Sequence, residues 1–154
     1  MMSIFQPTNV LILCSGNSAR SIMAESLVNA LGCGRWRAYS AGSRPTGQVN
    51  PFTLEILAEK GLPNQGLRSK TWNEFTQPDS PRMGLVVTVC ESAAREVSPV
   101  WPGRPAKLHM PFPDPVAAQG SRDERMEQFR IVFGMIENKM RRLIDLGPER
   151  INEV

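Results

Sequence analysis

Histidine is nearly absent from this chain: His109 is the only one, and Tyr39 is likewise the only tyrosine. Cysteine occurs three times, as Cys14, Cys33 and Cys90. No two of these form a Cys-x-x-Cys pair, so a tetrahedral zinc site would have to be built from carboxylates, and no metal is expected. An odd number of cysteines at wide spacing does not make a disulfide framework. With one histidine, a Cys–His catalytic pair has little to draw on. An activated cysteine here must rely on backbone dipoles and arginine. Long apolar runs are missing too: none approaches the roughly 20 residues that span a bilayer, so no membrane partner is expected. The N-terminus lacks the basic-then-apolar pattern of a secretory signal, Val10–Leu13 being too short for its core, and the expected location is cytoplasmic. Lys and Arg outnumber Asp and Glu by 18 to 15, for a net charge of +3. The basic residues form no dense run and do not alternate with aromatics, so nucleic acid is not an expected partner.

What is present suits one globular domain covering residues 1–154, with 41% hydrophobic and 21% charged residues. Asn9–Leu13 is a short continuous apolar run, as expected of a strand buried on both faces. It stops at Cys14. Ser15–Ser18 is small and polar and suits a tight loop. Ile22, Met23, Leu27, Val28 and Leu31 then recur near helical spacing, and Gly32 and Gly34 end that helix. Arg35–Ala41 reads as a second strand and Gly42–Gly47 as a turn. Asn50–Pro51 opens a helix to about Lys60, stopped by Gly61. Thr71–Phe75 suits a short helical turn. Gly84–Val89 is another apolar run, and it too ends in a cysteine, Cys90. Lys107–Met110 suits a last short strand and Pro111–Ala118 a loop with one acid, Asp114. Ser121–Leu146 is a long helix opened by the capping box Ser121–Glu124, with Met126, Phe129, Val132, Phe133, Ile136, Met140, Leu143 and Ile144 as its buried stripe. Alternating strands and helices predict an α/β fold with a parallel sheet covered on both faces. Ligands of such sheets bind beyond the carboxyl ends of the strands, where two strands here end in cysteine.

The constellation richest in chemistry is Cys14, five residues, then Arg20, between an apolar strand and an amphipathic helix. Small residues at that junction let backbone N–H groups turn inward as an anion-binding nest, aided by the helix dipole. Ser15, Gly16, Asn17, Ser18, Ala19, Arg20 and Ser21 are the candidate oxyanion-binding residues. Arg20 offers a planar fork for two oxygens. The same field favours a thiolate at Cys14, and the Ser21 hydroxyl is a candidate donor to it. The expected ligand is a tetrahedral oxyanion of the phosphate type.

Asn9–Glu25 (NVLILCSGNSARSIMAE) resembles the opening of the low-molecular-weight tyrosine phosphatase superfamily. Tyr39–Gly42 (YSAG), Val89–Cys90 with Pro99–Gly103 (VC, then PVWPG) and Phe112–Pro115 (FPDP) resemble its arsenate reductase branch. The resemblance implies a three-layer fold with a four-stranded parallel sheet flanked by helices. It makes Asp114 the candidate general acid and Cys90 the second thiol, which attacks the sulfur of Cys14 after Cys14 has attacked arsenate. It implies that Asn17, Glu25 and Ser40 brace the loop, as in members where such residues surround a potassium ion. Here Lys70, in Arg68–Ser69–Lys70, is expected to replace that ion. It implies no tightly bound cofactor but an external thiol reductant: thioredoxin, glutaredoxin with glutathione, or a similar thiol. Two departures stand out. Where phosphatases usually have an aromatic residue after Asp-Pro, this chain has Val116. Where thioredoxin-linked members have a third redox cysteine, just before Pro99, it has Ser98; Cys33 is no obvious substitute. Three functions stay open: arsenate reduction, hydrolysis of phosphotyrosine or small phosphoesters, and a non-catalytic oxyanion-binding or redox-sensing module.

Overall fold

The computed structural model describes residues 6–154. Four strands, β1 (Thr8–Cys14), β2 (Trp36–Gly42), β3 (Leu85–Thr88) and β4 (Ala106–His109), form one parallel sheet in the order β2-β1-β3-β4. The central strand β1 has the longest apolar run, and Val10 to Leu13 are at most 1% exposed. That is what a strand covered on both faces requires. Its neighbours are in register, with Leu13 opposite both Ala41 of β2 and Thr88 of β3.

Four α-helices cover the sheet: α1 (Arg20–Leu31), α2 (Pro51–Glu59), α3 (Glu91–Arg95) and α4 (Arg122–Leu146). α1 lies between β1, β2 and α4, which explains why Ser21 and Ser26 are buried beside Ile22, Met23, Leu27 and Val28. α2 starts at the Asn50 cap, whose side chain accepts from Phe52 N at 2.9 Å. α4 starts with both halves of the Ser121–Glu124 capping box formed. Its expected stripe is buried from Met126 to Leu143, with Ile144 partly buried against the core.

Chain order runs outward in opposite directions from the middle, β1 to β2 on one side and β3 to β4 on the other. The crevice at the carboxyl ends of β1 and β3 is therefore the topological switch point, where open parallel sheets bind ligands. Cys14 is the last residue of β1, and Cys90 follows β3 by two residues.

Three elements are absent from the sequence expectation, one of them a 3₁₀ turn over Pro115–Ala117. α3 is five residues of Glu-Ser-Ala-Ala-Arg with only Ala93 buried, too short and too polar to show an apolar period. A 3₁₀ segment over Pro148–Glu153 follows α4 and packs back on it.

Candidate oxyanion site

Residues 14–20 form a loop whose carbonyls face away from the crevice. Ser15 O accepts from Arg44 N, Gly16 O from Thr46 N and Ser18 O from Asn50 N, each at 3.0 Å. The hydroxyls of Ser69 and Thr53 add bonds to Gly16 O at 3.1 Å and Ser18 O at 2.9 Å. In a trans peptide the N–H points opposite its C=O, so these three units aim the amides of Gly16, Asn17 and Ala19 inward. The same loop runs into α1, whose N-cap, Ala19, supplies no side-chain cap and whose first turn holds no acid. Uncapped first-turn amides and their dipole extend the anion-binding surface.

Asn17 makes the turn. Its φ is +48°, in the left-handed region that asparagine tolerates better than most residues. Its side chain, fully buried, locks that conformation. Nδ2 donates to Ser21 Oγ at 2.8 Å and Ser40 Oγ at 3.0 Å, and Oδ1 accepts from Lys70 N at 2.9 Å. Ser40 in turn donates to Glu25, and Lys70 Nζ sits 3.8 Å from the same carboxylate oxygen and donates to Arg68 O at 3.0 Å. Burial raises the pKa of Glu25, opposed by Lys70 and Ser40, and burial lowers that of Lys70, opposed by Glu25. Lys70 thus places its amine beside the Glu25 carboxylate that Ser40 also bonds. Gly42, the last residue of β2, is equally local in its purpose. A Cβ there would lie 2.3 Å from Ser15 O and 2.8 Å from Cys14 O.

The resulting pocket, about 320 Å³, is lined by the whole loop from Cys14 to Arg20 together with Thr46, Cys90, Ser92, Asp114 and Val116. No aromatic side chain lines it. Ser21 is absent from this lining. The sequence reading placed its hydroxyl at the sulfur, but it faces inward and accepts from Asn17. Arg20 closes the pocket: Nη1 donates to Phe112 O at 2.9 Å, and Nη2 lies 3.8 Å from Asp114 Oδ2. Asp114 is held by its own loop, with Oδ1 accepting from Val116 N at 3.0 Å.

Cys14 and Cys90 are both buried free thiols that line the same pocket. The interaction between them is the largest influence on each. It helps to pull the Cys90 thiol down to about 5 and pushes that of Cys14 up. Burial opposes both charges. Arg20 draws Cys14 down, while Ala93 N–H, Ser15 N–H and the Ser15 hydroxyl favour charge on Cys90. Cys90 is the N-cap of α3, and its Sγ accepts from Ala93 N at 3.4 Å. Neither this helix nor its thiolate-stabilising amide is legible in the sequence. Also unforeseen was Glu96, whose Oε1 accepts from Ser43 Oγ at 2.7 Å and Ser15 Oγ at 3.3 Å. Cys33 is exposed at the end of α1, and its Sγ faces Leu31 O.

Residues 9–153 match the family described as low molecular weight phosphotyrosine protein phosphatase. An arsenate reductase of Halalkalibacterium halodurans is 33% identical over 138 residues, covering 90% of this chain and 96% of its own. The crystal structure of an arsenate reductase from Archaeoglobus fulgidus superposes with a TM-score of 0.71 at 30% identity, covering 88% of this chain and 98% of its own. An arsenate reductase in the phosphate-binding state has a TM-score of 0.73 at 25% identity, over 90% of this chain and 97% of its own. The chain belongs to the low molecular weight phosphotyrosine protein phosphatase family.

Proposed function

We propose that this chain reduces arsenate to arsenite, with Cys14 as nucleophile and Cys90 as resolving thiol. The observation that carries the reading is a second buried thiol lining the same pocket as the first. A hydrolase of this kind needs one sulfur, whereas a reductase needs a pair of electrons, which two thiols supply by becoming a disulfide. The relatives named arsenate reductase support it independently.

In the proposed sequence the inward amides and Arg20 hold three oxygens of arsenate, the Cys14 proton passes to Cys90, and Cys14, now the thiolate, attacks arsenic. Asp114 protonates the departing oxygen, which leaves as water. Cys14 has then given its charge to the S–As bond, and Cys90, beside the α3 amides, releases its proton and attacks Cys14 Sγ. The S–As bond breaks with its electron pair on arsenic. Arsenite leaves, and a Cys14–Cys90 disulfide remains. An external thiol reductant returns both sulfurs to the reduced state. With Ser98 where a third cysteine would stand, that reductant meets the Cys14–Cys90 disulfide directly, and the location in which it works is taken to be the cytoplasm.

Hydrolysis of phosphoesters is the second reading, since the same thiolate, arginine and acid serve it. The absence of an aromatic wall from the pocket favours a small oxyanion over a phosphotyrosine ring. One assay separates the two. Cys90→Ser is expected to abolish multiple-turnover arsenite release with a dithiol donor and to spare hydrolysis of p-nitrophenyl phosphate. Undiminished arsenite turnover in that variant would refute the reductase mechanism. Oxyanion binding without turnover of either substrate in the unaltered protein would instead indicate a binding or sensing module.

A further inference from the structure

We infer that Glu96 is a positioning residue for the resolving step, a latch that holds the sulfur of Cys90 against Cys14. The inference rests on the arsenate reductase reading. At its near end α3 is tied to β4 by Glu91, whose Oε1 lies 3.3 Å from His109 Nε2. Glu91, Ser92, Ala94 and Arg95 are exposed or half-exposed, and only Cys90 and Ala93 are buried. Just beyond the helix, Val97 is 95% exposed, so the chain leaves the body of the protein at once. Between these lies Glu96, whose backbone N–H closes α3 on Ser92 O at 3.2 Å. Its carboxylate reaches across the crevice to two other elements. It takes the hydroxyl of Ser43, in the turn after β2, and that of Ser15, the residue next to the nucleophile. The short helix carrying the second thiol is thus fastened at its far end to the loop carrying the first.

Ser15 makes the latch responsive to the sulfurs. Its hydroxyl has one proton to donate and two acceptors in range, Glu96 Oε1 at 3.3 Å and Cys90 Sγ at 3.9 Å. Charge on Cys90 draws that proton toward sulfur and weakens the grip on Glu96. A disulfide carries no charge, and the proton returns to the carboxylate. Ser43 holds throughout. Glu96 touches neither substrate nor sulfur and acts through Ser15 and Ser43 on where Cys90 stands.

The test compares Glu96→Ala and Glu96→Gln with the unaltered protein. Glu96→Ala is expected to lower kcat for arsenite release roughly 10- to 100-fold, the loss that about 1 Å of misplacement can bring. KM for arsenate and p-nitrophenyl phosphate hydrolysis, which engage Cys14 alone, should change by less than about twofold. Glu96→Gln keeps an acceptor oxygen for both hydroxyls and should restore most of the rate. The midpoint potential of the Cys14–Cys90 couple gives a readout independent of arsenate. A roughly tenfold weaker preference for the disulfide in Glu96→Ala appears as a rise of about 30 mV. An unchanged kcat and potential, or a parallel fall in both activities, would overturn the latch. Should the unaltered protein release no arsenite, the reductase reading fails by itself, and the potential alone judges Glu96.

Discussion

Cys14 and Cys90 stand at the carboxyl ends of neighbouring parallel strands and line the same pocket. Strands paired about 4.8 Å apart bring residues at their tips near disulfide range without rearranging the sheet. A pair so placed loses its first proton more readily than a lone thiol, because the remaining S–H donates to the charge. It parts with the second reluctantly.

That coupling predicts an acidic titration. In a Cys33→Ser background, alkylation by iodoacetamide should follow a midpoint near the value of about 5 to which Cys90 is drawn. The pKa is lowered, so the thiolate persists above that pH and is lost as pH falls through it. Replacing Cys90 by Ala removes the group that is drawn down and that pushes Cys14 up, so the acidic step should vanish and Cys14 should fall from its raised value. A midpoint near the ordinary thiol range in the unaltered protein would mean the sulfurs are not coupled.

Asp114→Asn tests the proposed acid. Asparagine keeps the Oδ1 acceptor that takes Val116 N–H, so the loop should hold its shape while the proton is lost. The expected loss in kcat for p-nitrophenyl phosphate is roughly 10²- to 10⁴-fold, typical of removing a general acid. KM should move little. A substrate with a leaving group that needs no proton should recover most of the rate, and equal damage to both substrates would remove Asp114 from this role.

How much of this was legible beforehand depends on whether a feature is written locally. The β1–loop–α1 unit was legible because an apolar run, a small polar loop and an amphipathic stretch follow one another without interruption. The start of α4 was legible because Ser121 and Glu124 are three residues apart. Lys70 was suspected, yet its burial against Glu25 depends on contacts 45 residues apart in the chain. Glu96 left no trace, since its partners are 81 and 53 residues away. Ser21 was misplaced because a hydroxyl near a sulfur in sequence can turn either way, and buried Asn17 claimed it.

Gly42→Ala probes the contact between β2 and the loop. The added Cβ would sit 2.3 Å from the Ser15 carbonyl oxygen, a backbone atom that cannot swing aside. Overpacking of this kind costs about 1–3 kcal/mol. Since the displaced atoms belong to the loop itself, phosphate affinity should fall further than urea stability implies. Calorimetric phosphate binding alongside urea denaturation would show it, and unchanged affinity would mean the loop is more compliant than its carbonyl bonds suggest.

Lys70 supplies the last prediction. With its side chain 8% exposed against a Glu25 side chain 15% exposed, the pair is largely cut off from water. Removing the cation alone, as in Lys70→Met, strands a carboxylate that accepts from Ser40 and supports Asn17 through it, and should cost about 3–5 kcal/mol. Glu25→Gln in the same chain removes the stranded charge and should restore much of that loss, the non-additivity expected of residues in one network. Because the ammonium already occupies the cationic position, the unaltered protein should be equally stable and active in potassium and in sodium at equal ionic strength. Lys70→Met, with Glu25 intact, should acquire a preference between the two ions. A steep potassium dependence in the unaltered protein would show that a cation is still required beside Glu25 and that Lys70 does not stand in for it.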